Sequence, residues 1–170
     1  MKKYNLLFFF VISFLVVPHL VFAENLKFAN IDLIIKNTNI GKKALTKINK
    51  LDQENMKKLN SFEKELKEKE NEIKLKKNLL SESELKKEVN KLNLKLAEFK
   101  KQKDIMVKNL SDTKNKELQF VFKTINPIIQ NYMNENSIQI LLNSKNVFIG
   151  NKKSDLTQDL INEINKKING

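Results

Sequence analysis

The 170-residue chain has no cysteine, tryptophan or arginine, and only one histidine, three glycines and two prolines. Each shortage removes a class of chemistry. Without cysteine, no disulfide can brace the fold in an oxidising compartment, and lipid attachment through a cysteine is excluded. With His19 as the sole histidine and no thiol, the usual zinc sites and the Ser-His-Asp or Cys-His nucleophiles cannot be assembled. Gly41, Gly150 and Gly170 lie too far apart to form a phosphate-cradling loop. Carboxylates remain for acid–base work or a hard cation, but most sit among lysines at helical spacing, the mark of a solvated helix face. No active site is legible.

Glycine and proline are also absent from Lys42 to Asn126, the stretch that carries most of the charge. It holds 23 lysines against 14 acids, a difference of +9. The remainder after residue 23 has seven lysines and six acids, or +1. All 32 basic residues of the chain are therefore lysine, and the positive field belongs to one segment.

At the start, Met1-Lys2-Lys3-Tyr4-Asn5 is basic, Leu6 to Val17 is apolar apart from Ser13, and Val21-Phe22-Ala23 places small residues before Glu24. This is the order of a secretory signal peptide over 1–23, with cleavage between Ala23 and Glu24. The apolar run is short for a bilayer span, which needs about 20 residues; an uncleaved anchor is the alternative. The mature chain of 24–170 then divides into a discontinuous body, 24–41 and 125–170, and an arm, 42–124, with its tip near 80–84.

Within the arm, Leu59, Leu66, Ile73 and Leu80 recur every seven residues, with Leu45 in phase and Asp52 interrupting. On the return, Leu85, Val89, Leu92, Leu96, Phe99, Met106 and Leu110 alternate steps of four and three, with Lys103 as a gap. Such narrow apolar stripes make a coiled-coil seam, so the arm reads as an antiparallel helical hairpin. Glu63–Lys67, Glu65–Lys69, Glu70–Lys74 and Glu72–Lys76 place acid before base at i,i+4, each pair contributing roughly 0.2–0.5 kcal/mol. Ser81 and Glu84 form a capping box that starts the second helix. Leu45 and Phe120 are equidistant from the tip, which gives arms of roughly 60 Å. The alternative is a disordered lysine-rich tether.

The flanks read as a small α+β body. Leu26 to Ile31 suits a strand and Asp32 to Lys36 a helical turn. Asn126-Pro127 is expected to end or kink the return helix. Ile138, Ile140 and Leu142 suit one face of a half-buried strand, and Val147-Phe148-Ile149 a further strand ended by Gly150. Asp155 to Ile168 closes the chain as an amphipathic helix with Leu156, Leu160, Ile161, Ile164 and Ile168 on one side. Three short strands leave open edges, which invite pairing with another copy. Phe28, Ile31, Ile138, Ile140, Leu142, Val147 and Ile149 are the candidate residues of that oligomerisation body.

The opening Phe28-Ala29-Asn30-Ile31-Asp32 with Gly41-Lys42-Lys43-Ala44 resembles the start of the OmpH/Skp periplasmic chaperones. So do Asn126-Pro127-Ile128-Ile129 and Ser154-Asp155-Leu156-Thr157-Gln158-Asp159-Leu160. The resemblance spans the mature chain and implies a mostly α, α+β fold: a homotrimer with a shared body and three hairpin tentacles around a cavity for unfolded outer-membrane proteins. It implies no enzyme activity, no cofactor and no use of ATP. The family's lipopolysaccharide site uses arginine in part, and is not carried over to a chain that has none. Three arms near +9 would hold acidic unfolded chains through many weak contacts. The candidate client contacts are Lys67, Lys69, Lys74, Lys76, Lys77, Lys86, Lys87, Lys91 and Lys95, with Leu75, Leu79, Leu94 and Ile105 for greasy segments unless these fill a broadened seam. An anionic membrane surface is a further partner such a field allows. Two rival readings stand beside the chaperone: a structural envelope coiled coil, and a nucleic-acid binder. Export, the lack of arginine and the lack of an aromatic stacking platform speak against the second, and no nucleic acid is expected.

Overall fold

The structure, a computed structural model, describes residues 25–169. The expected signal segment and its cleavage point at Ala23 and Glu24 lie outside the described residues. Strand β1 (Leu26–Ala29) leads into helix α1 (Ile31–Asn37), where the Asn30 side-chain oxygen accepts the Leu33 N–H at 3.0 Å. This is the N-cap bond that satisfies an orphan donor of the first turn. Thr38 is fully buried at the corner, returns its N–H to Ile34 O at 3.0 Å, and caps the next helix through the Gly41 N–H. Gly41 sits where the two helices touch: a Cβ there would stand 1.8 Å from the Ile35 carbonyl oxygen. Only glycine permits so close an approach.

Helix α2 (Asn39–Lys76) then runs 38 residues and helix α3 (Glu82–Glu135) returns over 54. At 1.5 Å per residue these are about 57 and 81 Å long. The expected end of the helix at Asn126-Pro127 is overturned, because α3 passes through Pro127 to Glu135. Proline costs that helix one N–H bond. Val121 and Ile125 before it, and Ile128, Ile129, Tyr132 and Met133 after it, pack on the same core and hold both sides helical.

Past Glu135 the chain turns through Ser137, at φ 53°, with the Ile138 N–H bonded to Met133 O at 2.9 Å and the Ser137 N–H to Asn134 O at 3.3 Å. That is a Schellman cap, with buried Ile138 meeting the core beside Met133. Strand β2 (Ile140–Asn143) pairs in parallel with β1, Leu26 opposite Ile140 and Ala29 opposite Asn143. The phase of this strand differs from the one expected: Leu141 meets the core, Leu142 is half-buried and Ile140 is exposed. Ile138 belongs to the helix cap and not to the strand, so an alternation counted from it falls one residue out of step.

The third strand expected at Val147–Ile149 is not formed. A 3₁₀ turn at Ser144–Asn146 leads into bends, with Val147 half-buried and both Phe148 and Ile149 exposed. The place beside β1 is already taken, since the Leu156 N–H bonds Phe28 O at 2.9 Å and Asp155 bridges Phe28 in parallel. Gly150 lies under the half-buried Phe28 ring. Helix α4 (Thr157–Asn169) closes the body. Leu160 and Ile164 on it are wholly buried, with Ile31 and Ile168 packed at the margin of the core. Two bonds fasten it: Asn30 N–H to Thr157 Oγ1 at 2.9 Å, and Asn39 N–H to Asn165 Oδ1 at 2.8 Å. The mostly α, α+β architecture is thus as expected.

Candidate functional site

The hairpin arm is where the exposed charge is concentrated, and its seam decides which side chains face outward. Leu66 is buried at the seam, with Leu59, Ile73 and Leu80 half-buried at the expected seven-residue spacing. Asp52 is exposed, and Leu51 and buried Asn55 take its place. The stripe therefore runs Ile48, Leu51, Asn55, Leu59, Phe62, Leu66, with one extra step of four. Such a stutter locally unwinds the pair of helices. Asn55 fills the irregular level by donating its Nδ2 to Met106 O at 3.4 Å. Phe62, unmarked in the sequence reading, meets Phe99 edge to face, centroids 5.4 Å apart at 83°. Its signal was present: it lies four residues before Leu66 and three after Leu59.

These cross-arm contacts also correct the pairing of the roots. Leu45 and Leu118 both pack on the core, whereas Phe120 is exposed. On the return helix Leu85, Leu92, Phe99, Met106 and Leu110 are half-buried, and Gln102 rather than Lys103 lies at the gap. Val89 and Leu96 turn partly outward along one flank.

The tip is as the sequence indicated. Ser81 Oγ accepts the Glu84 N–H at 3.4 Å while Glu84 Oε2 accepts the Ser81 N–H at 2.9 Å, a complete capping box. The hydrogen bonds from the Ser81 hydroxyl and backbone hold the Glu84 carboxyl below its ordinary value.

Of the four ion pairs expected along α2, Glu70–Lys74 forms at 2.7 Å. The other acids and lysines choose different partners. Lys69 reaches Glu72 at 2.6 Å, and Glu65 crosses the seam to Lys95. Lys91 takes Glu88 at 2.7 Å, and Lys47 crosses to Glu117 near the root. The hydrogen bond to Glu72 raises the Lys69 ammonium and lowers its partner, and the bonds from Lys74 and Lys91 lower Glu70 and Glu88. Exposed pairs of this kind are screened by solvent and add little to stability. Among the described residues, Lys67, Lys76, Lys77, Lys86 and Lys87 have no carboxylate within ion-pair distance, so five of the nine candidate lysines face water unpaired.

The four apolar candidates are not in the seam: Leu75 is 81% exposed, Leu79 85%, Leu94 71% and Ile105 50%. Met56 and Val107, exposed as well, escaped the sequence reading because single apolar residues among lysines carry no period. Among the described residues there is no cluster of carboxylates or histidine fit to hold a metal ion, and no helix long and apolar enough to cross a membrane.

A small α+β base, two long antiparallel helices and a closing helix define an architecture with known counterparts. The family model "Outer membrane protein (OmpH-like)" matches residues 26–164. The chain belongs to that OmpH-like family. Among solved structures, a candidate outer membrane chaperone (OmpH-like) from Caulobacter crescentus superposes with a TM-score of 0.73. Identity there is 17%, over 84% of this chain and 85% of that one, which establishes a shared fold. No curated protein matches the sequence.

Proposed function

We propose that this chain is a periplasmic, ATP-independent holdase that shelters unfolded outer-membrane proteins among the arms of a homotrimer. Membership of the OmpH-like family supports the chaperone role. Export to the periplasm, with residues 1–23 removed, follows from the signal-like N-terminus. The observation that carries the reading is a hairpin of net charge +9 whose lysines project from two long helices clear of a small core.

Association of the bodies is part of the proposal. Exposed Ile140 lies on β2, and exposed Phe148 and Ile149 follow it. Phe28, Ile31, Ile138, Leu142 and Val147 line the same base. Unpaired strand edges template pairing with another chain, and so small a core gains stability from oligomerisation. In this proposal Val147–Ile149 becomes a strand only when a neighbouring copy supplies its partner.

A client with net negative charge is drawn in by the arms and held by many individually weak lysine contacts. The Debye length is about 8 Å at physiological salt, so the pull is short-ranged and strongest on chain already between the arms. Lys67, Lys76, Lys77, Lys86 and Lys87 are the first contacts, followed by those whose ion pairs exchange easily. Purified protein is expected to suppress aggregation of a urea-denatured outer-membrane β-barrel at equimolar trimer without ATP, and less so as salt rises. No suppression at low salt would end the holdase reading.

A further inference from the structure

We propose that the arm holds client chain along one flank, centred on Leu96, Val107 and Met56, and that this flank faces the enclosed space; the inference rests on the holdase reading. On α3, Val89, Leu96, Lys100, Lys103 and Val107 follow one another by steps of seven, four, three and four. On α2, Met56, Glu63, Lys67, Glu70 and Lys74 repeat the same spacing. Such steps keep each set on one helix face. The two faces open on the same side of the hairpin. Glu63, Lys67 and Glu70 from one helix and Leu96 from the other wall a single groove of about 620 Å³, with Leu66, Leu92 and Phe99 in its lining. The Asn55–Met106 contact sets Met56 and Val107 level with each other toward the root.

The two flanks of the hairpin differ. On the other flank, the Lys95–Glu65 and Lys47–Glu117 pairs cross the seam, and Lys69, Glu72, Lys91 and Glu88 line a cleft of mixed charge near the tip. On the open flank no ion pair crosses among the described residues, and its groove onto the seam is the larger: the other flank opens on Leu59, Phe62 and Met106 through a hollow of about 350 Å³.

The charges along the two faces, of which Glu63, Lys67 and Glu70 line the groove itself, select the occupant. Lys67, Lys74, Lys100 and Lys103 stand against Glu63 and Glu70, a balance of +2, and Lys74 is already paired with Glu70. Lys67, Lys100 and Lys103 have no carboxylate within ion-pair distance among the described residues. An apolar strip edged by unpaired ammonium groups suits an extended segment that alternates apolar side chains with carboxylates, as a strand of an acidic β-barrel does. Leu94 lies two residues from Leu96, about 200° around the helix, and Leu75 about 100° from Lys74, so this proposal takes both sequence candidates out of the client-holding face.

The test is photo-cross-linking of the full-length protein to a urea-denatured outer-membrane β-barrel of net negative charge. Benzoylphenylalanine replaces Leu96, Val107, Leu75 or Leu94 one at a time. Cross-links at 96 and 107 are expected to exceed those at 75 and 94 severalfold. In parallel, Leu96→Ser with Val107→Ser is expected to raise the client Kd about tenfold, and Leu75→Ser with Leu94→Ser less than about twofold. All four side chains are exposed, so circular dichroism should report intact helices in each variant. Equal or reversed cross-linking with client binding retained would discard the flank and leave the holdase standing. Client-free cross-links between protomers at 96 and 107 would mean a second copy covers the groove, and would also discard it. No cross-link anywhere, together with no suppression of aggregation, would remove the holdase reading itself.

Discussion

In the body, eleven buried apolar side chains converge from β1, all four helices and the turns before β2 and α4, and Ile34, Leu160 and Ile164 are wholly withdrawn from water. Along the arm beyond it, the described residues that are buried are Leu66 and Asn55, and one of these is polar. The body is held by convergence of many elements on one place. The arm is held by a line of contacts one residue wide, each level supported only by the levels next to it. Damage to the body should therefore spread, and damage to the arm should stay local.

The sharpest way to break that contrast is in the body. Leu160→Ala removes a fully buried side chain and is expected to cost about 2–5 kcal/mol, seen as an early, global transition in denaturant. Leu66→Ala in the arm is expected to expose the middle of the hairpin to protease while the body's transition keeps its midpoint. A single shared shift for both variants would mean the two regions do not differ in the way described. Ser81→Ala removes one side of the capping box and is expected to destabilise the tip by about 1 kcal/mol, measured as faster hydrogen exchange near Leu85 and unchanged exchange near Ile125.

A smaller gain is expected from Ser137→Gly, because serine at φ 53° occupies a conformation glycine adopts freely. It should stabilise the body by about 0.5–1 kcal/mol in chemical denaturation. The smallest effect is the response of the tip to acid. The Glu84 carboxyl is lowered in the folded state from an ordinary 4.5. Its contribution is thus present above that value and lost as pH falls through the lowered one. Protection of the tip amides, taken relative to the intrinsic exchange rate at each pH, should fall there in the parent and fall less in Ser81→Ala.

The same contrast explains what could be read in advance. The hairpin, its tip at Ser81 and the closing helix were legible, since each rests on a long period or a local cap that needs no distant partner. Pro127 misled, because six apolar neighbours packed on the core outweigh one lost hydrogen bond. The strand at Val147–Ile149 misled because a strand exists only where an edge is free, and Asp155-Leu156 already occupies β1. Asp52 marked the irregular level of the seam, yet the shift to Leu51 and Asn55 depends on what the opposite helix presents there. In the candidate site, the exposure of the lysines was legible and their pairing was not. A surface this dense in lysine and glutamate offers each ammonium several carboxylates within reach, and Lys69 and Glu65 settled on ones outside the expected i,i+4 order.

Helix α3 runs unbroken from Glu82 at the tip, through Pro127, to its cap against the core. It is at once a wall of the base and one of the two rods of the arm. From Ile125 to the tip is about 65 Å at the rise of an α-helix. A tilt of about ten degrees where Val121 and Ile125 are seated would sweep the far end through about 11 Å at that length. The helix is a lever with its fulcrum in the core, so the repacking of a few methyl groups there is enough to carry the far end across the width of another helix.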